Sequence, residues 1–215
     1  MFVDGTVTWI TPGGVGFFVH NDICEECVVS TLDNSSQGIL WLLLSHVSEN
    51  IVLLPCVCYL PPENSSRYFD VNGFFDTLLF DIYKYKQEGI VFLCGDFNSR
   101  CVDLDECIRR IDSVSNRNGV DFKANINGDL LIDFLVNVNM CMLTGRWDNL
   151  QTDFTSISTK GLSVVDYCIT THDMLHKFSH FTVSRSSFVA SKTGILDAVV
   201  LLLFQTILYF LGSLM

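Results

Sequence analysis

The run Ile90-Val91-Phe92-Leu93-Cys94 leads without a break into Gly95-Asp96-Phe97-Asn98. Consecutive apolar residues leave no face of an extended chain for solvent, so the run reads as a strand buried on both sides. Just upstream, Phe74, Phe75, Leu78, Leu79, Ile82 and Tyr85 recur at helical spacing. They form the apolar face of a helix over Phe74 to Tyr85, and that face must lie on something flat. Gly89 separates the two elements. A buried strand that ends by presenting polar residues at its carboxyl edge is where α/β folds build sites.

Other segments fit the same scheme. Val15 to His20 follows Gly13-Gly14 as a short strand entered through a glycine turn. Gly38 to Ser45 and Ile51 to Tyr59 are apolar runs separated by polar residues, which suggests an antiparallel pair, and Pro61-Pro62 stops the second. Cys101 to Asn127 is polar, carries Arg109, Arg110, Arg117 and Lys123, and reads as a long surface excursion. Gly128 to Leu135 is a second amphipathic helix, followed by a strand over Met140 to Leu143. Asp153 to Ile157 and Ser163 to Thr170 read as two strands flanking Thr159-Lys160-Gly161, a hairpin. Strands alternating with helices make one mixed α/β domain.

Net charge narrows the chemistry. With 13 basic against 24 acidic side chains the chain carries −11, which argues against a basic groove that holds nucleic acid by neutralising phosphates. An acidic protein still meets a phosphate backbone where a divalent cation supplies the local positive charge. The nine cysteines fall mostly inside apolar runs, the usage of small core residues in a reducing compartment. Cys24 and Cys27 have zinc-ligand spacing but lack a second pair. Met1-Phe2-Val3-Asp4-Gly5 does not open a signal peptide.

A carboxylate and a carboxamide two residues apart, as Asp96 and Asn98 are, can share one substrate: one handles a proton and the other orients an oxygen. Gly-Asp-x-Asn also makes ordinary turns. Order adds information. Gly13-Gly14-Val15-Gly16-Phe17, Val57-Cys58-Tyr59-Leu60-Pro61-Pro62 and Gly95-Asp96-Phe97-Asn98 are followed by Asn127-Gly128-Asp129-Leu130-Leu131, Leu143-Thr144-Gly145-Arg146, Asp153-Phe154-Thr155 and Ser163-Val164-Val165-Asp166-Tyr167. In this order the motifs resemble the endonuclease/exonuclease/phosphatase superfamily with its DNase I-like fold, and in particular the endonuclease domain of non-LTR retrotransposons.

The resemblance implies an α/β (α+β) four-layer sandwich, two packed β-sheets flanked by helices, here incomplete, over residues 1–190. It implies Mg2+ beside a scissile phosphate, with DNA as substrate. Carried over by position, Asp96 acts on the attacking water or leaving oxygen and Asn98 orients that chemistry. Tyr59 faces the phosphate, Asp166 is the carboxylate that holds the family's catalytic histidine, and Thr155 lines the substrate site. Tyr59 also reads as a strand-edge cap and Thr155 as an ordinary β-branched strand residue.

Two family elements have no match. The metal-binding glutamate belongs before the Gly-Gly strand, where only Asp4 stands, and the closing Ser-Asp-His triplet has its nearest echo in Leu196-Asp197-Ala198. The metal ligands are thus unassigned, and the expectation is a domain truncated at both ends. Losing an acid/base or electrostatic group costs about two to four orders of magnitude in rate, so hydrolysis is expected to be impaired, with a non-catalytic scaffold as the alternative. His172, His176 and His180 recur every four residues and read as a solvated helix. Residues 195–215 form an apolar tail. Within it Ala198 to Met215 carries no charge and meets the lower length limit for a transmembrane helix, a possible membrane anchor.

Overall fold

Strands in the order β3-β4-β5-β6-β10-β7 form a six-stranded mixed sheet. They are β3 (Cys27–Asp33), β4 (Ile39–His46), β5 (Val52–Tyr59), β6 (Ile90–Asp96), β7 (Met140–Met142) and β10 (Asp166–Thr171). The computed structural model describes residues 5–10, 15–65, 69–102, 104–108, 111–112, 114–147, 154–158, 161–178, 181 and 183. Two further strands, β1 (Gly5–Ile10) and β2 (Gly16–His20), pair antiparallel as a separate sheet. A small hairpin joins β8 (Ser156–Ser158) to β9 (Gly161–Ser163).

Alternation along the central strands sorts the core into two layers. Ile39 and Trp41 of β4, Leu54, Cys56 and Cys58 of β5, and Val91 and Leu93 of β6 pack with Phe74, Leu78 and Ile82 of α2 (Val71–Tyr85). They also meet Leu131, Phe134 and Leu135 of α3 (Ile126–Val138). The intervening Leu40, Leu42, Leu44, Leu53, Val57, Phe92 and Cys94 pack instead with Val15, Phe17 and Val19 of the β1–β2 sheet side. Both faces of the large sheet are therefore covered, which is why its strands read as continuous apolar runs. Helices lie on one face and a second sheet on the other, the α/β arrangement expected.

The helix over α2 buries Phe74, Phe75, Leu78, Ile82 and Tyr85 as the spacing predicts, and also Asp81. Trp41 explains that carboxylate, since its Nε1–H donates to Asp81 Oδ2 at 2.9 Å. Burial raises the Asp81 pKa despite that bond. Helix α2 opens on Asp70, whose side chain accepts from the Gly73 N–H, an N-cap of the preferred type.

Several expectations are corrected. Ser163 to Thr170 is not one strand: β9 ends at Ser163 and pairs with β8, whereas β10 begins at Asp166 and joins the large sheet. Among the described residues between Cys101 and Asn125 there is an isolated bridge of Cys101 with Ala124 and no helix or strand, yet the segment is not a solvated excursion. Glu106 and Asp121 are buried there. Glu106 accepts from Arg117 Nε at 3.3 Å and also bonds Arg146 Nη2, and Arg146 Nε donates to Met142 O at 2.5 Å. His172 and His176 lie on a 3₁₀ helix (His172–Lys177) rather than an α-helix, and His180 lies outside the described residues. Among the described residues no helix is long and apolar enough to cross a membrane, and the tail 195–215 lies outside them.

Candidate functional site

Three of the residues singled out by sequence share one row at one edge of the sheet. Parallel pairing of β5 with β6 sets Tyr59 opposite Asp96, and antiparallel pairing of β10 with β6 sets Asp166 opposite Asp96. Alternation places all three on the face that also carries Val57, Cys94 and Phe92, away from the helices. Tyr59 is exposed, Asp96 half-buried and Asp166 buried.

Spacing within the row follows from the ladder. The Phe97 N–H donates to Val165 O at 2.9 Å, and hydrogen-bonded and non-hydrogen-bonded pairs alternate along an antiparallel ladder. Asp96 and Asp166, one position inward, therefore form a non-hydrogen-bonded pair, the type whose side chains stand closest, with Cα atoms about 4.5 Å apart. The next such pair is Cys94 with Cys168. In agreement, Cys168 O turns to the other neighbour and accepts from Leu143 N–H at 2.8 Å. Burial pushes the Cys94 thiol well up and Cys168 to about 12, so neither is a thiolate at neutral pH.

The exit from β6 makes the turn and aims the row at once. Gly95 has φ +144°, and a Cβ there would stand 1.9 Å from Cys58 O. Only glycine lets β6 lie against β5 at this point. The Asn98 N–H donates to Asp96 Oδ1 at 2.8 Å, and Asn98 Nδ2 donates to Leu60 O at 2.9 Å. Leu60 N–H in turn donates to Asp96 O at 2.9 Å. Asn98 thus sits beside the row with its carboxamide nitrogen bonded to the residue after Tyr59. Thr155 Oγ1 accepts from the Val165 and Asp166 N–H groups at 3.0 and 3.1 Å. Its hydroxyl therefore fixes the start of β10.

Behind the row stands a group of residues with no motif of their own. Asn125 caps α3 by accepting from Gly128 N–H at 2.9 Å, accepts from Arg100 N–H at 2.8 Å, and donates from Nδ2 to Asn98 O at 2.8 Å. Arg100 donates from Nε and Nη2 to Asp121 at 2.8 and 2.6 Å. Tyr167 Oη lies 2.9 Å from Ser99 O and 3.0 Å from Val164 O. Asparagine before an apolar helix is a legible cap signal. Asp121 had none.

Metal fitness can be judged on the donors present. Among the described residues no three His, Cys, Asp or Glu side chains gather where an ion would be held. Asp96 and Asp166 are two carboxylates at the closest cross-strand spacing, enough for a magnesium ion that keeps waters and shares a substrate phosphate. His46, beside the start of β5, and His172, after the end of β10, stand at the opposite edge of the sheet. Cys24 is exposed and Cys27 buried, both as free thiols.

No protein-family model and no curated protein sequence matches the chain. Among solved structures it is similar to the endonuclease domain of TRAS1, a telomere-specific non-LTR retrotransposon. Identity is 16%, coverage 80% of this chain and 68% of that one, and the TM-score 0.44. It is similar to the 3'-5' exonuclease NExo from Neisseria meningitidis at 12% identity, over 71% and 60% of the two chains, TM-score 0.43. A third is an endonuclease/exonuclease/phosphatase family protein from Leptotrichia buccalis, at 12% identity over 66% and 49%, TM-score 0.34. The chain thus spans between 49% and 68% of the length of these structures.

Proposed function

We propose that residues 1–190 form a domain of the endonuclease/exonuclease/phosphatase kind, akin to a retrotransposon endonuclease, whose cation-assisted hydrolysis of phosphodiester bonds in DNA is impaired. The observation that carries this reading is the register that brings Tyr59, Asp96 and Asp166 into one row at a sheet edge, with Asn98 bonded beside it.

In this reading Asp96, its carboxylate fixed by the Asn98 N–H on Oδ1, orients the attacking water. Tyr59, an exposed residue, meets the phosphate through its hydroxyl as a donor. Asp96 and Asp166 would hold Mg2+, which supplies charge neutralisation at the phosphate when bound. Two like charges directly opposite on neighbouring strands repel, so a cation between them is favoured. Thr155 keeps Asp166 in place. What supports impairment is the donor set among the described residues, where no third His, Cys, Asp or Glu gathers with the two carboxylates and the rings of His46 and His172 stand at the far edge.

Nicking of supercoiled plasmid tests the reading. Slow nicking that needs Mg2+ and is abolished by Asp96→Asn is the expected result. Nicking that survives Asp96→Asn or a chelator would overturn it, and a chain with no Mg2+-dependent nicking at all would be a scaffold that keeps the fold only.

A further inference from the structure

The backbone ladder between β6 and β10 ends at the bond from Phe97 N–H to Val165 O, one residue beyond the row. Past that point a side chain joins the two strands. Asp121 is 6% exposed. Its Oδ2 accepts from Arg100 Nε at 2.8 Å and from Val164 N–H at 3.0 Å, and its Oδ1 accepts from Arg100 Nη2 at 2.6 Å and from Lys123 N–H at 3.1 Å. Both oxygens are thus used twice, which fills the acceptor sites of a carboxylate. Arg100 follows Asp96 by four residues and Val164 precedes Asp166 by two. The ion pair therefore spans the exits of the two strands that carry the carboxylates.

We propose that the Arg100–Asp121 pair is a positioning element that fixes the exits of β6 and β10 to one another and so sets the close separation of positions 96 and 166. This rests on the reading of the row as a cation and phosphate site. A bidentate guanidinium–carboxylate pair is suited to the task because it fixes angle as well as distance. The Tyr167 hydroxyl, which can donate to only one of Ser99 O and Val164 O at a time, is a weaker fastening of the same segments.

Separation at the row can be read without any activity. In the full chain, Asp96→Cys with Asp166→Cys places two thiols at a non-hydrogen-bonded pair, where a disulfide is geometrically allowed. Its rate of formation under diamide is followed by peptide mass mapping. With Asp121 present, rapid cross-linking is expected. Adding Asp121→Asn, which removes the charge, is expected to slow it at least tenfold, and adding Arg100→Lys, which keeps the charge but not the fork, by a smaller factor. Amide hydrogen exchange at Leu93 and Ile169, opposite one another further along the same ladder, should keep its rate in both backgrounds. An unchanged 96–166 rate, or exchange at Leu93 and Ile169 accelerated by the same factor, overturns the proposal. If Asp121→Asn does not fold, Arg100→Lys alone decides by the same criterion. Plasmid nicking by the chain with native Asp96 and Asp166 judges the site reading separately. No nicking with an Asp121-dependent cross-link removes the site and leaves the clamp, whereas nicking with an Asp121-independent cross-link removes the clamp only.

Discussion

Gly95 is the residue at which local backbone and site coincide. Its φ of +144° and the 1.9 Å approach of a Cβ to Cys58 O leave no room for a side chain against main chain. Gly95→Ala is expected to cost about 3 kcal/mol or more, measured as a shift in urea midpoint. Gly161, with φ +126° but open space around it, should lose much less, since only the strain is present there. The Asp121 carboxyl gives a pH signature. Burial works to raise its pKa, yet the Arg100 guanidinium and the Val164 and Lys123 N–H groups outweigh it and hold it below the usual range. A lowered folded value means stability that is present above the ordinary aspartate pKa, about 3.9, and lost as pH falls through the folded value. Denaturant midpoints should show Asp121→Asn less stable than the wild type at pH 6, with the gap closing toward pH 2. A constant gap across that range would contradict the assignment. Asp33, lowered chiefly by the Ser35 N–H, adds to the wild-type acid lability in both proteins alike.

At the scale of elements, residues 101–127 carry the sharpest lesson. Their polarity reads as a solvated excursion because composition does not show which charges pair. Glu106 and Arg146 are each 2% exposed and Arg117 8%, and the three side chains tie the segment to the end of β7 through Met142 O. Breaking a buried ion network by removing one partner costs about 3–5 kcal/mol. Glu106→Ala should therefore destabilise by that order in equilibrium unfolding, while the exposed side chain of Ile108 should tolerate alanine. Helices and central strands were legible because burial on one or both faces imposes a period. The division of Ser163 to Thr170 between two sheets was not, since Val164 and Tyr167 are both buried although β9 and β10 belong to different sheets. Asn125→Ala tests the coupling between α3 and the site. It removes a cap and the bonds to Arg100 N–H and Asn98 O, so its cost should exceed the roughly 1 kcal/mol of a simple N-cap.

For the whole molecule, the motifs around Tyr59, Asp96 and Asp166 anticipated which strands meet, because each stands at a strand end and the sheet brings those ends to one edge. Tyr59, Asp96 and Asp166 were legible for that reason. Arg100 and Asp121 were not, being joined only by the fold. The net charge of −11 fits a surface that meets phosphate through a cation rather than through lysine and arginine. We place the cation site at the Tyr59–Asp96–Asp166 row, and paramagnetic broadening of amide resonances by Mn2+ reads its position. Broadening should centre on Tyr59, Asp96, Phe97 and Asp166 and disappear in Asp96→Asn. Broadening centred elsewhere, or unchanged by Asp96→Asn, would show that the row is not a cation site.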